Sequence, residues 1–162
     1  MNRIRTTTLV LLLLALIAAC HKVEVDDQKP VIDLNFEGAA PLPCDTLKAG
    51  DTLKVRLRMT DNFELGSFRI DIHHNFDHHS HSTEVINCQL DPKKPATNPF
   101  VFIGVYDIPP GKRMYEALVK IPIPVQNENG FLQDGDYHFF VSLTDQTGWS
   151  SNKGFGIKLV QP

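Results

Sequence analysis

Leu53-Lys54-Val55-Arg56-Leu57-Arg58-Met59 alternates apolar and basic residues without a break. Side chains of a β-strand point to opposite faces in turn, so Leu53, Val55, Leu57 and Met59 share one face while Lys54, Arg56 and Arg58 share the other. The stretch predicts a strand with one buried and one wet face. The same period recurs on both sides. Upstream lie Ile32, Leu34 and Phe36, with Asp33 and Asn35 opposite. Downstream, the run 65–74 sends Phe68, Ile70 and Ile72 inward and Arg69, Asp71 and His73 outward. Further runs follow at 100–106, at 113–123 with edge-forming prolines, at 136–143 with Tyr137, Phe139, Val141 and Leu143 inward, and at 153–160 with Phe155, Ile157 and Leu159 inward. No segment keeps helical spacing for three turns, so the chain is read as all-β. Residues 38–50 and 127–135 read as loops, and 83–99 as a polar connection with room for a short edge strand at 84–89. About seven runs over residues 30–162 fit an immunoglobulin-like antiparallel β-sandwich.

The N-terminus carries an address. Arg3 and Arg5 precede an apolar run, 9–19, that is short for a bilayer span and ends in Ile17-Ala18-Ala19-Cys20, so residues 1–19 read as a secretory signal peptide. Small residues before a cysteine resemble the lipobox of bacterial lipoproteins, which implies cleavage before Cys20 and lipidation of its thiol. Residues 20–29, with Lys22, Glu24, Asp26 and Asp27, then form a hydrated tether. Removing Arg3 and Arg5 from 16 basic residues leaves 14 against 19 acidic ones, a net of about −5. The bases are dispersed among acids with no aromatic interleaving, which argues against a nucleic-acid partner.

Cys20 apart, the cysteines are Cys44 and Cys88. Outside the cytoplasm their pairing is the simplest reading, the other being two buried unpaired thiols.

Chemistry concentrates in His73-His74-Asn75-Phe76-Asp77-His78-His79-Ser80-His81, which holds five of the seven histidines. Imidazole is the commonest protein metal ligand. His79 and His81 form an H-x-H pair whose Cα atoms in extended chain lie about 7 Å apart on one side, within reach of a single ion. If strands three and six of a sandwich are neighbours, the end of the third lies beside the start of the sixth, and His73 meets His138. The candidate ligands are His73, His74, Asp77, His78, His79, His81 and His138, with Asp71 adjacent and the set His73, His79, His81 and His138 favoured. Imidazole and carboxylate suit Zn²⁺, Cu²⁺ or Ni²⁺. The bland reading is a polar loop that chelates as weakly as an affinity tag. Asp61-Asn62 and Asp145-Gln146 should meet at the opposite end and could offer oxygens to Ca²⁺, although turn residues bonding their own backbone explain them more simply.

The segment Leu132-x-Asp134-Gly135-x-Tyr137-x-Phe139-x-Val141-x-x-x-Asp145-x-x-Gly148 resembles the sixth strand of Ig-like and fibronectin-like modules in bacterial surface proteins, with Tyr137 placed like a tyrosine corner. The chain departs from antibody-type domains in lacking a strand-three Trp and a cysteine pair across the sheets. Taken with the lipobox and the stretch from Asp61-Asn62-Phe63-Glu64-Leu65 into the histidines, nearly the whole chain resembles an uncharacterised family of Bacteroidetes lipoproteins carrying a domain of unknown function. That resemblance implies the cell envelope, most often the outer membrane on its periplasmic or surface face, and no activity. No Gly-x-Ser-x-Gly elbow, phosphate loop or His-Glu-x-x-His helix occurs, so the chain is read as a non-enzyme. The leading expectation is a lipid-anchored envelope protein that binds a transition metal through its histidine loop, for capture, buffering or delivery to an envelope partner. The alternative is an Ig-like interaction module that contacts an envelope protein or a glycan, its histidines incidental.

Overall fold

The computed structural model describes residues 25–83 and 88–162. The signal peptide, the first half of the tether with Cys20, and the core of the expected edge strand at 84–89 lie outside the described residues. Among those described are ten strands: β1 Val31–Asp33, β2 Thr46–Lys48, β3 Thr52–Thr60, β4 Leu65–His74, β5 Phe102–Asp107, β6 Met114–Pro122, β7 Gln126–Asn127, β8 Gly130–Phe131, β9 Gly135–Asp145 and β10 Ser150–Val160. They make a β-sandwich. One sheet has the order β1-β3-β6 and the other β2-β10-β9-β4-β5, with β7-β8 a separate small hairpin. All pairings are antiparallel except β2 with β10.

The alternation of β3 decides its environment. Leu53, Val55, Leu57 and Met59 are buried and meet Phe68, Ile70, Ile72, Tyr137, Phe139, Val141, Leu143, Phe155, Ile157 and Leu159 of the other sheet in a single core. Each large apolar side chain removed from water contributes about 1.5–3 kcal/mol. On the wet face Arg56 and Arg58 share the Glu116 carboxylate of β6, at 3.3 and 2.9 Å, and the Arg58 guanidinium lies 4.4 Å from the Phe36 ring centroid. Tyr137 forms the expected corner: its hydroxyl donates to the Gln133 carbonyl at 2.6 Å and accepts from Phe100 N at 3.1 Å, and burial pushes its pKa up to about 12.

Three sequence expectations need correcting. The first run stops at Asp33 rather than Phe36, because the Asp33 carboxylate accepts the Asn35 amide at 2.7 Å and turns the chain. The loop 38–50 contains β2, whose three residues align along β10 and are too few to leave a period. The loop 127–135 contains β8 and the end of β7, with Gly130 at a φ of 106° that favours glycine.

Register places the functional ends. On β4 and β9, Leu65 is opposite Asp145 at one pole and His73 opposite His138 at the other. Eight residues of strand separate these poles, about 26 Å.

Candidate metal centre

The outward phase of β4 delivers His73 and that of β9 delivers His138, directly paired. Beyond His74 the chain is held down by Asn75, whose amide donates to the Asp136 carbonyl at 2.8 Å, and by Phe76, buried edge-on against Tyr137 at 5.3 Å. A tight turn follows. His78 takes a φ of 60°, and its Nε2 donates to the Asp91 carbonyl at 2.9 Å, which keeps this ring away from the other histidines.

Residues 79–83 then fold back over the outer face of β9 and β10. Thr83 N donates to the Gly154 carbonyl and Gly154 N to Thr83 Oγ1, both at 3.0 Å. A Cβ at Gly154 would stand 2.4 Å from the His81 carbonyl oxygen, so the backbone comes this close only over glycine. Beyond residues 84–87, a Cys44–Cys88 disulfide fastens the segment to the neighbouring loop, and Cys44 N donates to the Gly156 carbonyl at 2.8 Å. Because this roof covers it, His138 is 2 % exposed although it belongs to the outward phase of its strand. Alternation fixes which face a residue takes, but not whether a loop covers that face.

The rings of His73, His79, His81 and His138 gather under and along the roof. Their six centroid separations run from 4.9 to 5.6 Å, close to the edges of a regular tetrahedron. Four imidazoles bound to one ion through metal–nitrogen bonds of about 2.0–2.1 Å would have centroids about 5 Å apart. The nitrogens are more selective than the rings. One nitrogen each from His73, His79 and His81 lies within 4.8 Å of the other two, and His138 is not in that set.

The reason is its own hydrogen bond. His138 Nε2 donates to the His79 carbonyl at 3.0 Å, leaving Nδ1 buried without a partner, and burial drives its pKa down to about 4, so the ring is neutral. His138 holds the loop residue that carries a converging nitrogen. His74 is also outside the set: its ring lies 5.0 Å from that of Phe76, its Nδ1 has no partner, and burial lowers its pKa.

Two carboxylates set the chemistry of the converging rings. Asp71 Oδ1 accepts from His73 Nδ1 at 2.7 Å and Asp77 Oδ1 accepts from His79 Nδ1 in a short bond. An ionised carboxylate only accepts, so both Nδ1 atoms carry a proton, and Nε2 is the nitrogen that each ring has left to offer an ion in its neutral form. Arg69 steadies Asp71 from its other oxygen at 2.7 Å, and the His79 bond holds the Asp77 carboxyl below its usual range. Carboxylate-backed imidazole is the arrangement that raises ligand basicity in metal sites. Asp77 therefore backs His79 instead of joining the converging set. The signal for this role is the Asp-x-His spacing at 71–73 and 77–79, which sequence reasoning took only as extra ligands. Gly154 and the two backbone bonds at Thr83 have no sequence pattern that announces them.

No curated protein is similar to the chain. Residues 18–160 match the family DUF4625, a domain of unknown function, and the chain belongs to that family.

Proposed function

We propose that this is a cell-envelope lipoprotein, anchored in the membrane through Cys20, that takes up a transition metal on His73, His79 and His81. The convergence of three imidazole nitrogens within 4.8 Å, two of them backed by carboxylates, is the observation that carries the reading. Three imidazole nitrogens with no thiolate suit Zn²⁺, Cu²⁺ or Ni²⁺. Three protein ligands leave a fourth position open, where a structural site would be closed. His81 is exposed, so one ligand can leave without disturbing the core. Both features favour exchange, and hence capture, buffering or delivery to an envelope partner. The nearby carboxylates Asp71 and Asp77 are occupied by histidine protons, which leaves hydrolysis without an evident base. The frame supports an immunoglobulin-like reading, since β4 and β9 pair as the third and sixth main runs of such a domain do.

Elemental analysis of the tag-free chain, purified from the envelope without chelator, tests this. About one equivalent of Zn, Cu or Ni is expected, falling to background in His73→Ala/His79→Ala/His81→Ala. Equal metal in parent and triple variant would overturn the proposal.

A second reading has its own support. Val101 beside β5, Ile103 and Val105 in that edge strand, and Leu118 in the edge strand β6 are each more than half exposed, and Val105 and Leu118 line one groove. An interaction module docking an envelope protein or a glycan would use such edges.

A further inference from the structure

At the pole opposite the histidines, Asp26, Asp61 and Asp145 each bring one carboxylate oxygen within 4.8 Å of the other two. They come from three separate places: the segment before β1, the β3–β4 turn and the β9–β10 turn. Each turn aspartate divides its oxygens. Asp61 Oδ2 accepts the Phe63 amide at 2.9 Å, while Asp145 Oδ1 accepts the amides of Thr147, Gly148 and Trp149 at 2.7–2.9 Å. One oxygen of each thus accounts for the turn. The other does not: Asp61 Oδ1 and Asp145 Oδ2 are buried with no donor, and so is the neighbouring Asn62 Oδ1. Asp145 as a whole is 4 % exposed.

Leaving a buried acceptor unpaired is costly, and a buried ionised carboxylate more so. None of the ion pairs among the described residues involves these three carboxylates. Thr147 Oγ1 stands 2.7 Å from Asp26 Oδ2 and 2.9 Å from Asp145 Oδ1, so its single proton can serve only one of them at a time. Asp26 also accepts from the Gln28 amide at 3.3 Å and from the Asn62 side chain. Three like charges and three orphaned oxygens remain, the wrong inventory for a self-sufficient turn. They are the right one for a hard cation.

We propose that this pole binds Ca²⁺ through Asp26, Asp61, Asn62 and Asp145, and that the ion clamps the segment preceding β1 onto the β3–β4 and β9–β10 turns. Calcium takes six to eight oxygens at about 2.3–2.6 Å in flexible geometry, so no two of its ligands stand more than about 4.6–5.2 Å apart, and three carboxylate oxygens within 4.8 Å of one another lie inside that limit; water completes the shell. Magnesium demands near-ideal octahedral geometry at about 2.0–2.1 Å and gives up its water reluctantly, so oxygens drawn from three separate segments suit it less well. The site is independent of the histidine centre, since a hard cation prefers carboxylate oxygen to imidazole.

Trp149, the sole tryptophan, is a built-in reporter: its amide donates to Asp145 Oδ1 and its indole Nε1 to the Asp26 carbonyl at 3.4 Å. The test is a CaCl₂ titration of the full, chelator-treated chain, reading Trp149 fluorescence and melting temperature. A saturable fluorescence change and a rise in melting temperature of about 5 °C at millimolar Ca²⁺ are expected. Asp26→Asn, which lies outside the sandwich core and so leaves the fold intact, should raise the half-saturating Ca²⁺ concentration at least tenfold. No response up to 10 mM Ca²⁺, an equal response to Mg²⁺ at the same concentration, or an unchanged titration in Asp26→Asn would each overturn the proposal.

Discussion

Removing the disulfide with Cys44→Ala/Cys88→Ala should cost about 4 kcal/mol of stability. The bridge spans a sequence separation of 44 and so closes a loop that contains β3, β4 and the whole histidine segment. For a loop of about 45 residues the chain-entropy relation gives about 13 cal/mol/K, or about 4 kcal/mol at 25 °C. Alanine is the right replacement because Cys44 sits at a φ of 66°, where any residue with a Cβ pays a left-handed cost of about 1–2 kcal/mol. That cost is equal in parent and alanine variant and cancels. Cys44→Gly/Cys88→Ala relieves it and should recover about 1 kcal/mol. Domains of this size are stable by about 5–15 kcal/mol, so the variant still folds. Urea unfolding followed by far-ultraviolet circular dichroism reads the effect: with a slope of about 2 kcal/mol/M, the midpoint should fall by about 2 M. A fall of less than about 0.5 M, or a glycine variant no more stable than the alanine one, would refute the reasoning.

Tyr137→Phe strands the Gln133 carbonyl and the Phe100 amide, and chemical denaturation should show a loss of about 2 kcal/mol. Gly154→Ala drives a methyl into the His81 carbonyl, which lifts the roof; Zn²⁺ affinity by competition with a chromophoric chelator should fall at least tenfold, and stability by about 1–3 kcal/mol. Asp77→Asn removes the charge behind His79 Nδ1 at an exposed position; the same competition should show about tenfold weaker Zn²⁺ binding, with the unfolding midpoint unchanged.

Much of this architecture is legible in the sequence because β-sandwich residues report their face by period two. Leu53 to Met59 and Tyr137 to Leu143 state the core directly, and the pairing of His73 with His138 follows from strand order. What period two does not report is anything made by a loop or a short strand. The burial of His138 depends on a roof closed by Gly154, Thr83 and the disulfide. At the other pole Asp61 and Asp145 are visible as turn residues, yet Asp26 sits in a stretch whose composition says only that it is hydrated. Its role comes from where β1 begins, beside Thr60, which brings the preceding residues onto the Asp61 turn. Within the histidine segment, composition supplies the ligand type but backbone direction selects among them. His74 turns toward Phe76 and His78 toward Asp91, leaving His73, His79 and His81 to converge.

Titration calorimetry with ZnCl₂ at neutral pH, on the tag-free chain folded and then unfolded in urea with its disulfide intact, bears most directly on the histidine centre. A site built by the fold predicts one Zn²⁺ per chain with at least tenfold tighter binding to the folded protein, a difference of about 1.4 kcal/mol or more. Equal affinity in the two states would mean that the histidines bind as a flexible string, and would contradict a centre assembled by β4, β9 and the loop that covers them.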